Sequence, residues 1–253
     1  MTNRDGLSSP SLFFVMKAGS TVENEERQRL LAQYSEIATL AGGLAHEIRN
    51  PLSTMGLSVE LLIEELENSE TPRDRRMLTK LQRIQHECAN LDGILNAFLQ
   101  FTRAGEIELE QADLNSMVNE FVEFYRPTAD EHGIEISPHL ESNLPPVKLD
   151  RALFRQVLLN LARNAVQAMP EGGLLELQTF VRNDSVLLEI IDTGQGMNEQ
   201  TRSKLFQVFF STKPNGSGLG LPTVRKIVEA HNGTITCESE PGRGTRFSIT
   251  LPC

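Results

Sequence analysis

Positive charge is in short supply in this 253-residue chain: 24 Lys and Arg stand against 34 Asp and Glu, a formal charge of −10 at pH 7. Nucleic-acid backbones want a basic face, so this balance argues against nucleic acid as a direct partner. Trp is absent and Tyr occurs only twice, and composition is otherwise that of an ordinary soluble protein. The three cysteines, Cys88, Cys237 and Cys253, are odd in number and widely spaced. That argues against a disulfide framework or a cysteine metal site and reads as free thiols in a reducing compartment. No apolar run approaches the roughly 20 residues of a membrane helix. Leu12-Phe-Phe-Val-Met16 is too short for a signal sequence, and Arg4 and Asp5 before it cancel. The expectation is a cytoplasmic protein with no membrane span, long enough for two domains with cores of their own.

Residues 1–21 carry no periodicity and scatter Ser, Pro and Gly, the pattern of a flexible tail. Beyond a polar run at 23–33, apolar residues recur at Leu31, Tyr34, Ala38, Ala41, Ala45, Ile48, Leu52, Met55, Val59, Leu62 and Leu66. Steps alternating three and four are the signature of helices packed lengthwise along a shared seam. With Ala45 and Ile48 inward, His46 falls beside the seam and open to water. Asn50 lies one turn further along the same flank. Pro51 removes a helical hydrogen bond just beyond and predicts a kink. A histidine on a helical surface is ordinarily solvated and idle. The small residues around this one, Gly42 and Gly43 among them, and the weak point beside it suggest a site that another domain must reach. Asn68–Pro72 breaks the pattern, and Met77, Leu81, Ile84, Cys88, Leu91, Leu95 and Phe98 resume it. Two long helices joined by a short turn form an antiparallel hairpin. One hairpin buries only one side of its seam, so two chains are expected to pair as a four-helix bundle over residues 22–105.

Past Arg103-Ala-Gly105 and an acidic linker at Glu106–Gln111, the period changes repeatedly, which marks a second, mixed domain over 106–253. Asp113 and Asp150 are placed to cap helices over 114–130 and from 151. Strands are expected at 134–137, 174–181, 186–191, 234–239 and 245–251, with a last helix over 222–231. The fold class is α+β, a helical hairpin followed by a two-layer α/β sandwich. On the Asp150 helix, Asn160 and Asn164 share a face one turn apart and can offer amide oxygen to a hard cation such as Mg²⁺, although two ordinary surface asparagines would look the same. Asp192-Thr-Gly-Gln-Gly196 closes a nearly continuous apolar strand, and Gly194 and Gly196 let the backbone turn tightly beneath a planar base. In Gly216-Ser-Gly-Leu-Gly-Leu-Pro222, the glycines Gly216, Gly218 and Gly220 around Leu219 let backbone amides face phosphate at a helix N-terminus. This is no Walker loop, because no Lys-Ser/Thr follows, and no Rossmann strand precedes it.

His46-Glu-Ile-Arg-Asn-Pro-Leu52 resembles the phospho-acceptor box of the sensor histidine kinases, and Asn160–Ala168 resembles the N-box of their ATP-binding domain. Asp192–Met197, Gly216–Pro222 and Gly242–Thr245 resemble the glycine boxes, and Phe206–Lys213 the phenylalanine box with a short lid. The boxes stand in the family's order and cover nearly everything from residue 30 onward. The Asn-Ala-Val-Gln-Ala-Met run and the Phe-Phe-Ser-Thr-Lys lid resemble the nitrogen-regulatory subgroup most. The resemblance implies ATP and Mg²⁺ as cofactors, a homodimer, and a separate response regulator as the final phosphoryl acceptor. It implies His46 as the phosphorylated residue, Glu47 as the base that takes its proton, and Asn50 as a residue that orients water in the reverse, dephosphorylating reaction. It further implies Asn164 as the metal ligand with Asn160 close by, and Asp192 as acceptor for the adenine amino group. Phe210 and Lys213 belong to the lid over the nucleotide, and Thr245 lies near phosphate or base. Gln167 stands where many relatives carry a phosphate-facing base, leaving Arg163 or Lys213 for that charge. Two rivals remain: a serine kinase or ATPase on the same nucleotide fold, which would need no histidine hairpin, and a scaffold that binds ATP merely as a switch.

Overall fold

The structure, a computed structural model, describes residues 45, 47–66, 71–104, 107–213 and 216–253. The expected tail, the seam positions from Leu31 to Ala41, Gly42, Gly43, His46, residues 68–70 of the break, Gly105 and Glu106 lie outside the described residues.

The heptads form two helices. Helix α1 covers 47–66 and runs on through Pro51. Helix α2, Pro72–Arg103, starts where Thr71 caps the Asp74 amide and Pro72 opens the first turn, a place where no amide is needed. The seam divides in two. Ala45, Leu52 and Val59 are buried, whereas Ile48, Met55 and Leu62 remain 40–48% exposed, as do Met77, Ile84 and Leu91 on α2 at 46–49%. Both exposed sets are spaced by seven residues, so each forms one straight apolar stripe. Across the hairpin the Arg49 guanidinium donates to Asp92 Oδ1 at 3.2 Å and to Asn96, and Asn96 Nδ2 donates to Asp92 Oδ2 at 2.9 Å.

The second unit follows in the order β1 (Glu110–Ala112), α3 (Leu114–Glu131), β2 (Ile134–Leu140), β3 (Val147–Leu149), α4 (Arg151–Ala168), β4 (Gly173–Arg182), β5 (Ser185–Asp192), α5 (Glu199–Arg202), α6 (Gly220–Ala230), β6 (Thr234–Glu240) and β7 (Gly244–Pro252). Five strands make one sheet in the order β2-β4-β5-β7-β6, parallel between β2 and β4 and antiparallel elsewhere. Helices α3, α4 and α6 cover one face and bury Phe121, Phe154, Leu158, Leu161 and Ile227 against Leu175, Leu188 and Ile249. Each such side chain, fully removed from water, stabilises the fold by roughly 1.5–3 kcal/mol. The alternation along β4 and β5 leaves their other face half-exposed.

Three expectations need correction. The linker at 106–111 ends in a strand, since β1 pairs antiparallel with β3 and buries Ala112 beside Val147 and Leu149; three-residue strands are too short to show a period. The helix expected from Pro222 begins at Gly220, with the Thr223 amide and hydroxyl both donating to Leu219 O, at 2.9 and 2.7 Å. Pro222 therefore sits in the first turn, where its missing N–H costs nothing. Strand β2 runs on through Pro138 to Leu140, which an edge strand tolerates.

His231 joins the helices that carry the site. Its side chain is buried; Nδ1 donates to Ile227 O at 2.7 Å and Nε2 accepts the Asp150 amide at 2.9 Å, so the ring is held neutral. Asp150 itself caps α4 through the Leu153 amide at 3.0 Å. Burial lowers the His231 pKa, with the Ile227 carbonyl and the Asp150 charge opposing. A neutral form held in the fold contributes stability that is fully present above the unfolded value of about 6.5 and is lost as pH falls below it toward the folded value. Urea unfolding at pH 7.5 and 5.5 should show the wild type losing on the order of 1 kcal/mol on acidification. His231→Leu, already less stable at pH 7.5 because it strands the Asp150 amide, should lose less. Equal losses in the two proteins would dismiss the role.

Candidate active site

Asp192 ends β5 opposite Thr245 of β7. Its carboxylate is buried and accepts the Gly194 amide at 2.9 Å, with the Thr245 amide a second donor. Burial lifts its pKa above the ordinary carboxylate value, against the pull of those amides and of the Lys213 charge. The loop after it is pressed onto the β6–β7 turn. At Gly196, φ is +64° and a Cβ would land on the Glu240 carbonyl oxygen, so only glycine fits. Ser239 locks this corner: its hydroxyl accepts the Met197 amide at 2.8 Å and lies 2.9 Å from Gly244 O and 3.1 Å from Thr245 Oγ1.

Helix α4 supplies Asn160, Arg163, Asn164 and Gln167 on the side its apolar stripe leaves free. The lid carries Lys213 over them, where the ammonium donates to Asn164 Oδ1 at 3.4 Å and to Gln167 Oε1. Burial lowers the Lys213 pKa while the Asp192 charge opposes the shift. The lid is clipped to the glycine loop, because the Phe209 amide donates to Gly218 O at 3.0 Å. Gly218 has φ +65° and a Cβ there would strike the Phe209 backbone.

These elements enclose a cavity of about 480 Å³, within the usual range for small-molecule sites. Of the residues singled out in the sequence, Asn160, Asn164, Asp192, Gly196, Phe210, Lys213, Gly216, Gly218, Gly220 and Thr245 line it. Gly194 and Leu219 do not. Gly194 lies behind the wall, its amide on Asp192 and its α-carbon against Ala168. The Leu219 side chain is fully buried, and the residue serves as N-cap of α6. Met197, Leu205 and Phe247 give the Asp192 end an apolar lining, while Arg163 and Lys213 are the cations of the wall. That arrangement suits a flat base at one end and phosphates at the other. Side-chain oxygen from Asn160 and Asn164 is neutral amide, and among the described residues no group of three or more His, Cys, Asp or Glu gathers as a metal cage. Such donors fit a magnesium ion that takes most of its ligands from phosphate and water.

Glu47 and Asn50 stand exposed on α1, with Asn50 O accepting the Thr54 hydroxyl at 3.1 Å. The cavity does not include them.

Residues 149–253 match the family model for histidine kinase-, DNA gyrase B- and HSP90-like ATPases, and residues 36–107 match that for the His kinase A phospho-acceptor domain. The chain belongs to the sensor histidine kinases. It is 33% identical over 232 residues to the signal transduction histidine-protein kinase AtoS of Escherichia coli, covering 90% of this chain and 37% of that one. It is 31% identical to the sensor protein FixL of Bradyrhizobium diazoefficiens, covering 88% and 45%. The chain thus spans less than half the length of these kinases. Among solved structures, full-length ShkA in complex with AMPPNP superposes with a TM-score of 0.65 at 31% identity, over 84% of this chain and 45% of that one. The histidine kinase ThkA in complex with the response regulator TrrA gives 0.61 at 25% identity, over 98% and 68%. No helix among the described residues is long and apolar enough to cross a membrane. Within this chain, Leu205 and Phe247 of the cavity wall and the neighbouring Ser239 and Arg49 are residues that the sequence alone did not single out. Arg49 sits inside a charged acceptor box, which is a usable signal; an isolated serine on an edge strand carries none.

Proposed function

We propose that this chain is the catalytic core of an ATP-dependent protein histidine kinase, which phosphorylates His46 and passes the phosphoryl group to an aspartate of a separate response regulator. The observation that carries this reading is the convergence of ten box residues from five separate stretches on one cavity, in a chain whose hairpin bears the acceptor box. Residues 22–105 act as the dimerisation and phosphotransfer domain and 106–253 as the ATP-binding domain.

The adenine end lies by Asp192, whose fixed carboxylate accepts from the exocyclic amine. Asn164, with Asn160 close by, would hold the magnesium ion, whose charge would offset that of the phosphates. Lys213 faces the same phosphates from the lid. A neutral imidazole nitrogen of His46 attacks the γ-phosphorus in line; the bond to the β,γ-bridging oxygen breaks, ADP leaves with the electron pair, and Glu47 takes the ring proton. Positioning and charge neutralisation supply most of the rate. Asn50, exposed on α1, orients water for hydrolysis of the regulator's acyl phosphate, which releases inorganic phosphate and restores the aspartate.

The exposed stripes of Ile48, Met55 and Leu62 and of Met77, Ile84 and Leu91 support a homodimer, because unpartnered apolar stripes of this length mark an interface. Dependence on ATP as phosphoryl donor supports a cytoplasmic site of action.

Label acquired from γ-³²P-ATP should be lost in acid and retained in alkali, as a phosphoramidate requires. Acid-stable, alkali-labile label would reassign the chain to seryl transfer.

A further inference from the structure

A second cavity, of about 450 Å³, lies between α2 and the glycine loop. Asn90, Asn96 and Gln100 form one side, and Arg163, Ser217 and Gly220 the other. Arg163, Ser217, Gly220 and Asn160 also line the nucleotide cavity, so the two spaces share a wall. The far side leads to the acceptor box, since Asn96 accepts from the Arg49 guanidinium. The crevice is held in place by the end of α2. Lys226 Nζ donates to Phe101 O at 2.9 Å and to Thr102 O at 3.1 Å, and Gln156 donates to Gln100 at 3.0 Å.

Arg163 is the only charged side chain lining this crevice among the described residues. It is exposed on α4 and has no carboxylate or hydrogen-bond partner among the described residues. Lys213, the other cation of the nucleotide cavity, is already engaged with Asn164 and Gln167 on the lid. A lid-borne ammonium and a helix-mounted guanidinium thus stand on different sides of the phosphate end.

We propose that Arg163 is a catalytic residue whose guanidinium follows the γ-phosphoryl group out of the nucleotide cavity toward the hairpin and stabilises it in transit. The proposal rests on the histidine kinase reading above. As the bridging P–O bond breaks and the N–P bond forms, charge spreads over three equatorial oxygens. A planar fork of donors matches two of them at once, which an ammonium does not. Because this charge arrangement exists only in the transition state, Arg163 contributes to rate and little to ground-state nucleotide affinity.

The test uses the full chain and compares Arg163→Ala and Arg163→Lys with wild type in two readouts: affinity for the fluorescent analogue trinitrophenyl-ATP, and the rate of histidine phosphorylation at saturating ATP. Arg163→Ala should bind the analogue within about threefold of wild type while phosphorylation slows about a hundredfold, the usual cost of one transition-state donor. Arg163→Lys should recover part of the rate. Parallel losses of affinity and rate would make Arg163 an ordinary nucleotide ligand and overturn the assignment, as would an unchanged rate. Retained binding certifies the fold of each variant. A wild-type chain that binds the analogue but never labels would instead overturn the kinase reading, and this assignment with it.

Discussion

Replacing His46 with Gln should lower labelling from ATP by at least about a thousandfold, because removal of a nucleophile leaves no alternative route to the covalent product. Nucleotide binding should be unchanged, since the cavity walls come from α4, the β5 loop, the lid, the glycine loop and β7 and include no residue of α1. The chain has five histidines, so the competing acceptors can be weighed singly. His231 is buried with both nitrogens bonded. His132 and His139 lie at the end of α3 and on the edge strand β2, each with a ring nitrogen in a hydrogen bond. His86 is exposed on α2 of the hairpin and is the serious alternative. His86→Gln should therefore label like wild type. If His86→Gln abolishes labelling and His46→Gln does not, the acceptor has been misplaced.

The hairpin was legible in the sequence because a seven-residue repeat sustained over several turns marks helices packed along a seam and little else. Its half-open state was legible too: a seam with two sides cannot be closed by one neighbour, and Ile48, Met55 and Leu62 are the side left over. Capping residues located α3 and α4 to within a residue at their starts, since Asp113 and Asp150 both hold first-turn amides. The elements that went unseen are the short ones. Strands β1 and β3 have three residues each and α5 has four, so none completes enough periods to stand out. Glycine at 220 reads as loop by propensity, yet the first turn of a helix forgives it because its amide needs no helical partner. Within the site, motif order identified most of the cavity wall. It could not separate Leu219, a core side chain within the glycine loop, from the glycines around it. Nor could it find the pairing of Lys213 with Gln167, because that contact joins a lid to a helix far away in sequence. Gln167 accepts from a cation that the lid carries over its helix, a tertiary contact that no local pattern encodes.

Asn164→Ala should have the second-largest effect, and of a different kind. The substitution keeps helix propensity, since Ala is the best helix former, and Asn164 lies on the free side of α4, facing the cavity rather than the core. Stability should therefore change little. What disappears is the amide oxygen that faces Lys213 Nζ at 3.4 Å, the side-chain oxygen proposed above as the magnesium ligand. Titration of wild type with ATP should show much tighter binding with Mg²⁺ than with a chelator present; in Asn164→Ala the two affinities should converge, and autophosphorylation should fall at least about a hundredfold. Asn164→Asp retains an oxygen ligand and should keep the metal dependence even if the added charge alters its size. Lys213 gives the result its direction. Freed from Asn164, the ammonium can move closer to the phosphates and preserve some metal-independent affinity, so binding with chelator should stay near the wild-type level. An Asn164→Ala protein whose affinity still rises with Mg²⁺ as steeply as wild type would take the metal away from this residue and leave Asn160 as the candidate.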